Sequence, residues 1–177
     1  MYRPTGQKGD RVLKKALVFD NRIQNEMNPI VFIDVGARTD LPEPWRSLEE
    51  EFKGSVRTIG IEPDIMEASR LTKEFPSRTY FGKAAWNAAA TLNIHIAKEP
   101  GCSSVYPPDP EVASRYLASE NNLRVTEKIV QVQGDKIDSM TNVSGGDFIK
   151  IDAQGAEFEI LDGLRQTPSS ALGSSRH

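Results

Sequence analysis

At 177 residues the chain can hold one domain with a hydrophobic core, since domains commonly run to ~100–150 residues, and two full domains are excluded. Its 38% hydrophobic and 27% charged residues exclude a wholly disordered or membrane-embedded chain. The 22 basic and 25 acidic residues give a formal charge of −3 with no dense Lys/Arg run, which argues against a nucleic-acid partner. The longest apolar runs fall far short of the ~20 residues that span a bilayer, and the polar start MYRPTGQKGD lacks a signal-peptide core. These features predict a cytoplasmic protein without a membrane partner. Cys102 is the single cysteine, so neither an intramolecular disulfide nor a multi-cysteine metal site is expected.

Residues 1–29 are polar, but Val12, Leu13, Ala16, Leu17 and Phe19 recur near helical spacing, predicting a helical extension that ends at Asn28 and Pro29. The run Ile30 to Gly36 is short, continuous and β-branched, the pattern of a strand buried on both faces. A helix is expected from Trp45 to Phe52, a second strand from Arg57 to Glu62, a helix from Pro63 to Phe75, and a third strand from Arg78 to Gly82. Strand and helix alternating in this way signals parallel βαβ units. Thr91 to Ala97 and Lys128 to Val132 alternate apolar with polar residues, as half-exposed strands that pair antiparallel or extend an edge. Between them an ordered Pro-, Gly- and Ser-rich loop precedes a helix from Pro110 to about Ser119. Phe148 to Asp152 is a fourth buried strand and Ala156 to Leu164 the helix behind it. Residues 165–177 have little to bury and are expected to be a disordered tail. The core domain is therefore placed at 30–164.

Open parallel sheets bind ligands beyond the carboxyl ends of their strands, so the ends of the first two strands are the informative places. At the first, Asp34 is followed by Gly36 and Ala37, where a missing side chain lets backbone N–H groups approach a ligand. At the second, Glu62 is suited to accept hydrogen bonds from both hydroxyls of a ribose. The bland alternative is a turn glycine and a solvated carboxylate at a helix start. Residues 36–41, GARTDL, lack the G-x-G-x-x-G cradle and put an acidic residue where pyrophosphate would lie, so NAD is disfavoured. S-Adenosylmethionine, with no phosphate and a positive sulfonium, fits Asp34 and Glu62 better. His95 falls in a strand pattern and His177 in the tail, so no metal site is predicted.

Three segments resemble the FkbM-type methyltransferases across most of residues 30–164: Phe32 to Arg38, Ile59 to Asp64, and Phe148 to Glu157. The resemblance implies an α/β fold of the Rossmann-like, doubly wound, mostly parallel class I type, with S-adenosylmethionine as cofactor. It also implies that Asp34, Gly36 and Ala37 line the methionine side, that Glu62 holds the ribose, and that Ala84, Ala85 and Trp86 lie near the adenine. A large aromatic such as Trp86 is more often core, so it stays off the predicted site. Asp152, at the end of the fourth strand, is a candidate to orient or deprotonate a hydroxyl acceptor. Glu157 is either its companion in catalysis or a carboxylate favouring a helix N-terminus. Cys102, Ser103 and Ser104 lie in a loop resembling one in a subset of the family and are candidate substrate contacts; Cys102 has no basic partner to make it a nucleophile. The chain departs from the family at Arg38-Thr39-Asp40, where further glycines are common, and at Ala153-Gln154, where valine and glutamate are common.

A complete class I methyltransferase has seven strands, and no strand pattern follows Leu164, which reads as a C-terminally truncated member lacking its last strands. An unpaired sheet edge predicts a homodimer through that edge. The expected activity is transfer of a methyl group from S-adenosylmethionine to the oxygen of a small molecule or sugar hydroxyl. The alternatives are a non-catalytic binding or interaction module derived from the same fold and, by fold analogy alone, NAD-dependent oxidoreduction.

Overall fold

The computed structural model describes residues 29–52, 54–115, 123–141 and 146–165. The expected N-terminal helix, the far end of the helix toward Ser119 and the tail lie outside the described residues. The elements are β1 (Ile30–Val35), α1 (Trp45–Glu51), β2 (Val56–Ile61), α2 (Ile65–Glu74), β3 (Thr79–Phe81), β4 (Ala84–Ala85), β5 (Ala90–Ala97), a single 3₁₀ turn at Pro100–Cys102, α3 (Pro110–Ala113), β6 (Thr126–Asp135), α4 (Ile137–Thr141), β7 (Phe148–Ile151) and α5 (Glu157–Arg165).

Four of these strands form a wholly parallel sheet in the order β3-β2-β1-β7. This is a mixed α/β architecture with a parallel central sheet, the Rossmann-like class expected from the sequence. The pleat sends alternate residues of β1 and β2 to opposite faces. Ile33, Val35, Ile59 and Ile61 meet Ala85, Ile137, Met140, Ala156 and Ile160 in the main core. On the other face Phe32 stacks on Trp45 of α1, with centroids 4.3 Å apart. Both faces are thus covered, which is why the sequence of β1 is apolar almost without interruption.

Helix α2 starts where its signals say. The Asp64 side chain accepts from the N–H groups of Met66 (3.0 Å) and Glu67 (3.3 Å), and Ala68 and Leu71 are buried. Its crossover carries the chain from β2 to β3.

Thr91–Ala97 and Lys128–Val132 do pair antiparallel, as the middle of β5 and β6. Together with β4, which runs parallel to β6, they build a second sheet of order β4-β6-β5 rather than extending the first. Two alanines carry no periodicity, so β4 left no pattern to read. Helix α4 was equally silent, although Ile137 and Met140 are buried. Among the described residues β7 pairs only with β1, on one side.

Arg78 ties this framework together. Its guanidinium lies 4.3 Å over the Phe75 ring, donates to Glu49 Oε2 through Nε (2.9 Å) and Nη2 (2.6 Å), and to Asp40 Oδ1 through Nη1 (2.7 Å). Glu49 in turn accepts from the Thr58 hydroxyl at 2.7 Å. Breaking a fully buried pair costs ~3–5 kcal/mol. Because Glu49 and Asp40 keep some access to water, Arg78→Leu is expected to lower unfolding free energy by about 2–3 kcal/mol in urea denaturation.

Candidate active site

A cavity of about 500 Å³ opens between the carboxyl ends of β1, β2 and β7 and the inner face of the β5–β6 pair. That volume falls within the range of ~300–1,000 Å³ usual for small-molecule sites.

On the parallel-sheet side, Glu62 follows β2 directly and is 2% exposed while still bordering the cavity. Its Oε1 accepts from the Asp64 N–H (2.9 Å) and from Arg38 Nη1 (3.3 Å). Both bonds end on one oxygen, which leaves Oε2 available to a ligand. Burial pushes the Glu62 carboxyl up to about 7, with the Asp64 N–H and Arg38 pulling the other way. Asp64, Ile65 and Met66 form the adjoining lip, where both apolar side chains are largely exposed.

Asp34 sits deeper than the sequence suggests. It is buried and does not border the cavity; its strand partner Lys150 does. Lys150 Nζ lies 3.0 Å from Asp34 Oδ1, 3.5 Å from the Gly36 carbonyl and 3.9 Å from Asp152 Oδ2. Burial raises the Asp34 carboxyl above its ordinary value, opposed by Lys150. A lysine inside the apolar run Phe-Ile-Lys-Ile needs a buried carboxylate, and that mismatch was the available signal for the pair.

Gly36 borders the cavity, but the expectation that its N–H and that of Ala37 face a ligand is corrected. Both donate to the Ile61 carbonyl, at 2.9 and 3.3 Å. Gly36 is required for another reason: its φ is +78°, and a Cβ there would stand 2.2 Å from the Asp152 carbonyl oxygen. Ala37 is buried beneath, outside the cavity wall.

Ala84 and Ala85 line the cavity, whereas Trp86 packs half-buried against the core. Ser103 and Ser104 also line it, and Cys102, half-buried in the 3₁₀ turn, does not. Ser104 Oγ donates to the Gln154 carbonyl (2.7 Å) and accepts from the Tyr106 N–H (3.0 Å), and the Tyr106 hydroxyl donates to Glu159 (2.5 Å). The loop is thereby fastened to the turn before α5. Asp152 lies exposed on the cavity wall, with Oδ1 accepting from Gln154 Nε2 at 2.8 Å.

Glu157 takes the second of its two readings. Its carboxylate accepts from the Ala153 N–H (3.1 Å) and the Gly155 N–H (2.9 Å), closing the turn in which Gln154 and Gly155 have positive φ. Partial burial pushes this carboxyl up, but the backbone donors outweigh it and hold it below the ordinary value. It stands outside the cavity wall, so its catalytic reading is corrected to a helix-starting one.

The opposite wall escaped sequence reading. Ile94 and Ile96 of β5 and Lys128, Val130 and Val132 of β6 point inward together, because cross-strand partners share a face. Among the described residues no group of three or more His, Cys, Asp or Glu is placed to hold a metal ion, and no helix is long and apolar enough to cross a membrane.

Comparison with known families matches the chain to the Methyltransferase FkbM domain over residues 34–171. No curated protein and no solved structure matches the chain. The matched span takes in the cavity lining from Val35 to Ile160, with Glu62, Lys150 and Asp152 all inside it. The chain therefore belongs to the FkbM methyltransferase family.

Proposed function

We propose that the chain binds S-adenosylmethionine in this cavity and transfers its methyl group to a hydroxyl oxygen of a small molecule or saccharide. The observation that carries the reading is Glu62: a buried carboxylate beyond the second parallel strand, with one oxygen uncommitted and facing a nucleoside-sized space. Vicinal hydroxyls are the natural donors to such a group. Small side chains at Ala84 and Ala85 and the apolar lip of Ile65 and Met66 suit a flat base. When bound, the cofactor supplies an electrophilic methyl group.

The chain's own contribution is positioning and charge placement. Lys150 pairs with Asp34 beneath the site, opposing the rise that burial imposes on its carboxyl, and also approaches Asp152. Asp152, exposed on the same wall, is the group able to orient an acceptor hydroxyl and take its proton. The test is calorimetric titration of the chain with S-adenosylhomocysteine, followed by transfer of a labelled methyl group to a panel of sugar and small-molecule hydroxyls. Saturable binding is expected; a folded sample that binds none overturns the cofactor assignment. Unchanged turnover in Asp152→Asn would take that residue out of the chemistry.

A further inference from the structure

Among the described residues, three cationic side chains line the cavity: Arg38, Lys150 and Lys128. The first two are matched, Arg38 with Glu62 and Lys150 with Asp34. Lys128 makes no ion pair or side-chain hydrogen bond among the described residues. Its position is unexpected for another reason. On β6 it shares the inward face with Val130 and Val132, and its partner across the pair is Ile96, so a charge stands where the wall is otherwise aliphatic.

Lys128 also marks one end of the site. Ala84 pairs with Gly134, at the other end of β6, and six residues of strand at ~3.3 Å each put Lys128 about 20 Å away from it. The 3₁₀ turn and its loop gather at the Lys128 end. Ser103 Oγ accepts from the N–H of Ala97, next to Ile96, at 3.1 Å, which leaves the Ser103 O–H free to donate. Ser104, by contrast, has its hydroxyl committed to Gln154 and Tyr106. An unmatched ammonium and an uncommitted hydroxyl, both facing a cavity, are the donor set for an oxyanion.

We infer that the methyl acceptor carries an anionic oxygen group, a carboxylate or a phosphate monoester, held by Lys128 and Ser103 at the end of the cavity remote from Ala84. The identity of the anion's bearer as methyl acceptor rests on the function proposed above; the anion site itself does not. Lys128 selects the acceptor by charge, and Asp152 on the facing wall meets the hydroxyl.

Backbone amide NMR of the full chain tests this, with glucuronate, glucose 6-phosphate and glucose as probes, alone and after saturation with S-adenosylhomocysteine. The expected result is saturable shifts of the amides around Ser103 and Lys128 with at least one anionic sugar and none with glucose. Which anion gives them distinguishes carboxylate from phosphate. Lys128→Gln, an exposed substitution, should weaken that binding at least about tenfold while its affinity for S-adenosylhomocysteine stays unchanged. Equal shifts with glucose, anion shifts that persist in Lys128→Gln, or no response at this end to either anion at millimolar concentration would overturn it. Because the probes are read on the unliganded chain as well, a failure of S-adenosylhomocysteine to bind sinks the cofactor assignment separately.

Discussion

Glu62→Gln is expected to stabilise the unliganded protein at pH 8 and to cripple its binding of S-adenosylhomocysteine. The carboxyl is raised from its ordinary 4.5 to about 7 by burial. Between those values the unfolded chain is ionised at this position while the folded chain stays protonated, so the folded state holds more protons and stability falls as pH rises. Below about 4.5 the penalty is absent; above about 7 it is fully present, on the order of 3 kcal/mol. Glutamine keeps an oxygen for the Asp64 N–H and carries no charge to bury. The variant should therefore match the parent in urea denaturation at pH 4.5 and exceed it by about 2–3 kcal/mol at pH 8. A gain independent of pH would show that desolvation of Glu62 is not its source.

Binding should move the other way. Hydroxyl donors favour the ionised carboxylate, so the parent's affinity for S-adenosylhomocysteine should climb from pH 5.5 to 8, through the Glu62 titration. In Glu62→Gln that slope should vanish and affinity at pH 8 fall roughly a hundredfold, the worth of losing charge assistance on two hydrogen bonds. Opposite signs for stability and binding are expected where a site stores an unfavourable group for its ligand.

Gly36→Ala should be the most damaging single-methyl change in the parallel sheet. The residue needs φ +78°, and its Cβ would meet the Asp152 carbonyl oxygen at 2.2 Å. Neither partner is a flexible side-chain end: Asp152 N is bonded to the Val35 carbonyl, and Gly36 N to the Ile61 carbonyl. Gly54 supplies the control, because its φ is +87° but nothing lies within 4 Å of its added Cβ. Gly54→Ala should cost about 1 kcal/mol for the left-handed conformation alone. Gly36→Ala should cost about 4 kcal/mol, the excess measuring the forced separation of β1 and β7. Equal losses in denaturant titrations of the two variants would show that the strands part freely there.

The parallel half of the fold was legible because Ile30–Val35 is a nearly continuous apolar run closed by Gly36, and Val56–Ile61, though it carries Arg57 and Thr58, ends in Ile-Gly-Ile before Glu62. Glu62 was legible as the acidic residue directly after Ile59-Gly60-Ile61. Asp34 was read from the sequence as a ligand-facing carboxylate, without its depth: strand patterning places a side chain on a face and says nothing of Lys150, which arrives from a segment more than a hundred residues later. Gly36 was found, yet its constraint comes from the Asp152 backbone. The second sheet was half legible. Alternation in β5 and β6 announced two strands, but which of their faces would close over the first sheet is a tertiary fact, and with it went the inward placement of Lys128 and Val130.

The cavity is walled by two separate sheets, and each carries part of the proposed site. Of the groups proposed for the nucleoside, Glu62, Ile65 and Met66 follow β2 while Ala84 and Ala85 belong to β4 of the second sheet; of those proposed for the acceptor, Lys128 stands on β6 while Asp152 follows β7 of the parallel sheet. Inward positions 94 and 130, and 96 and 128, pair across the β5–β6 ladder, so each pair can be exchanged together without replacing a residue of the parallel sheet. A wall built of such pairs lets the shape of the cavity change by substitution while the packing of the four parallel strands is left alone.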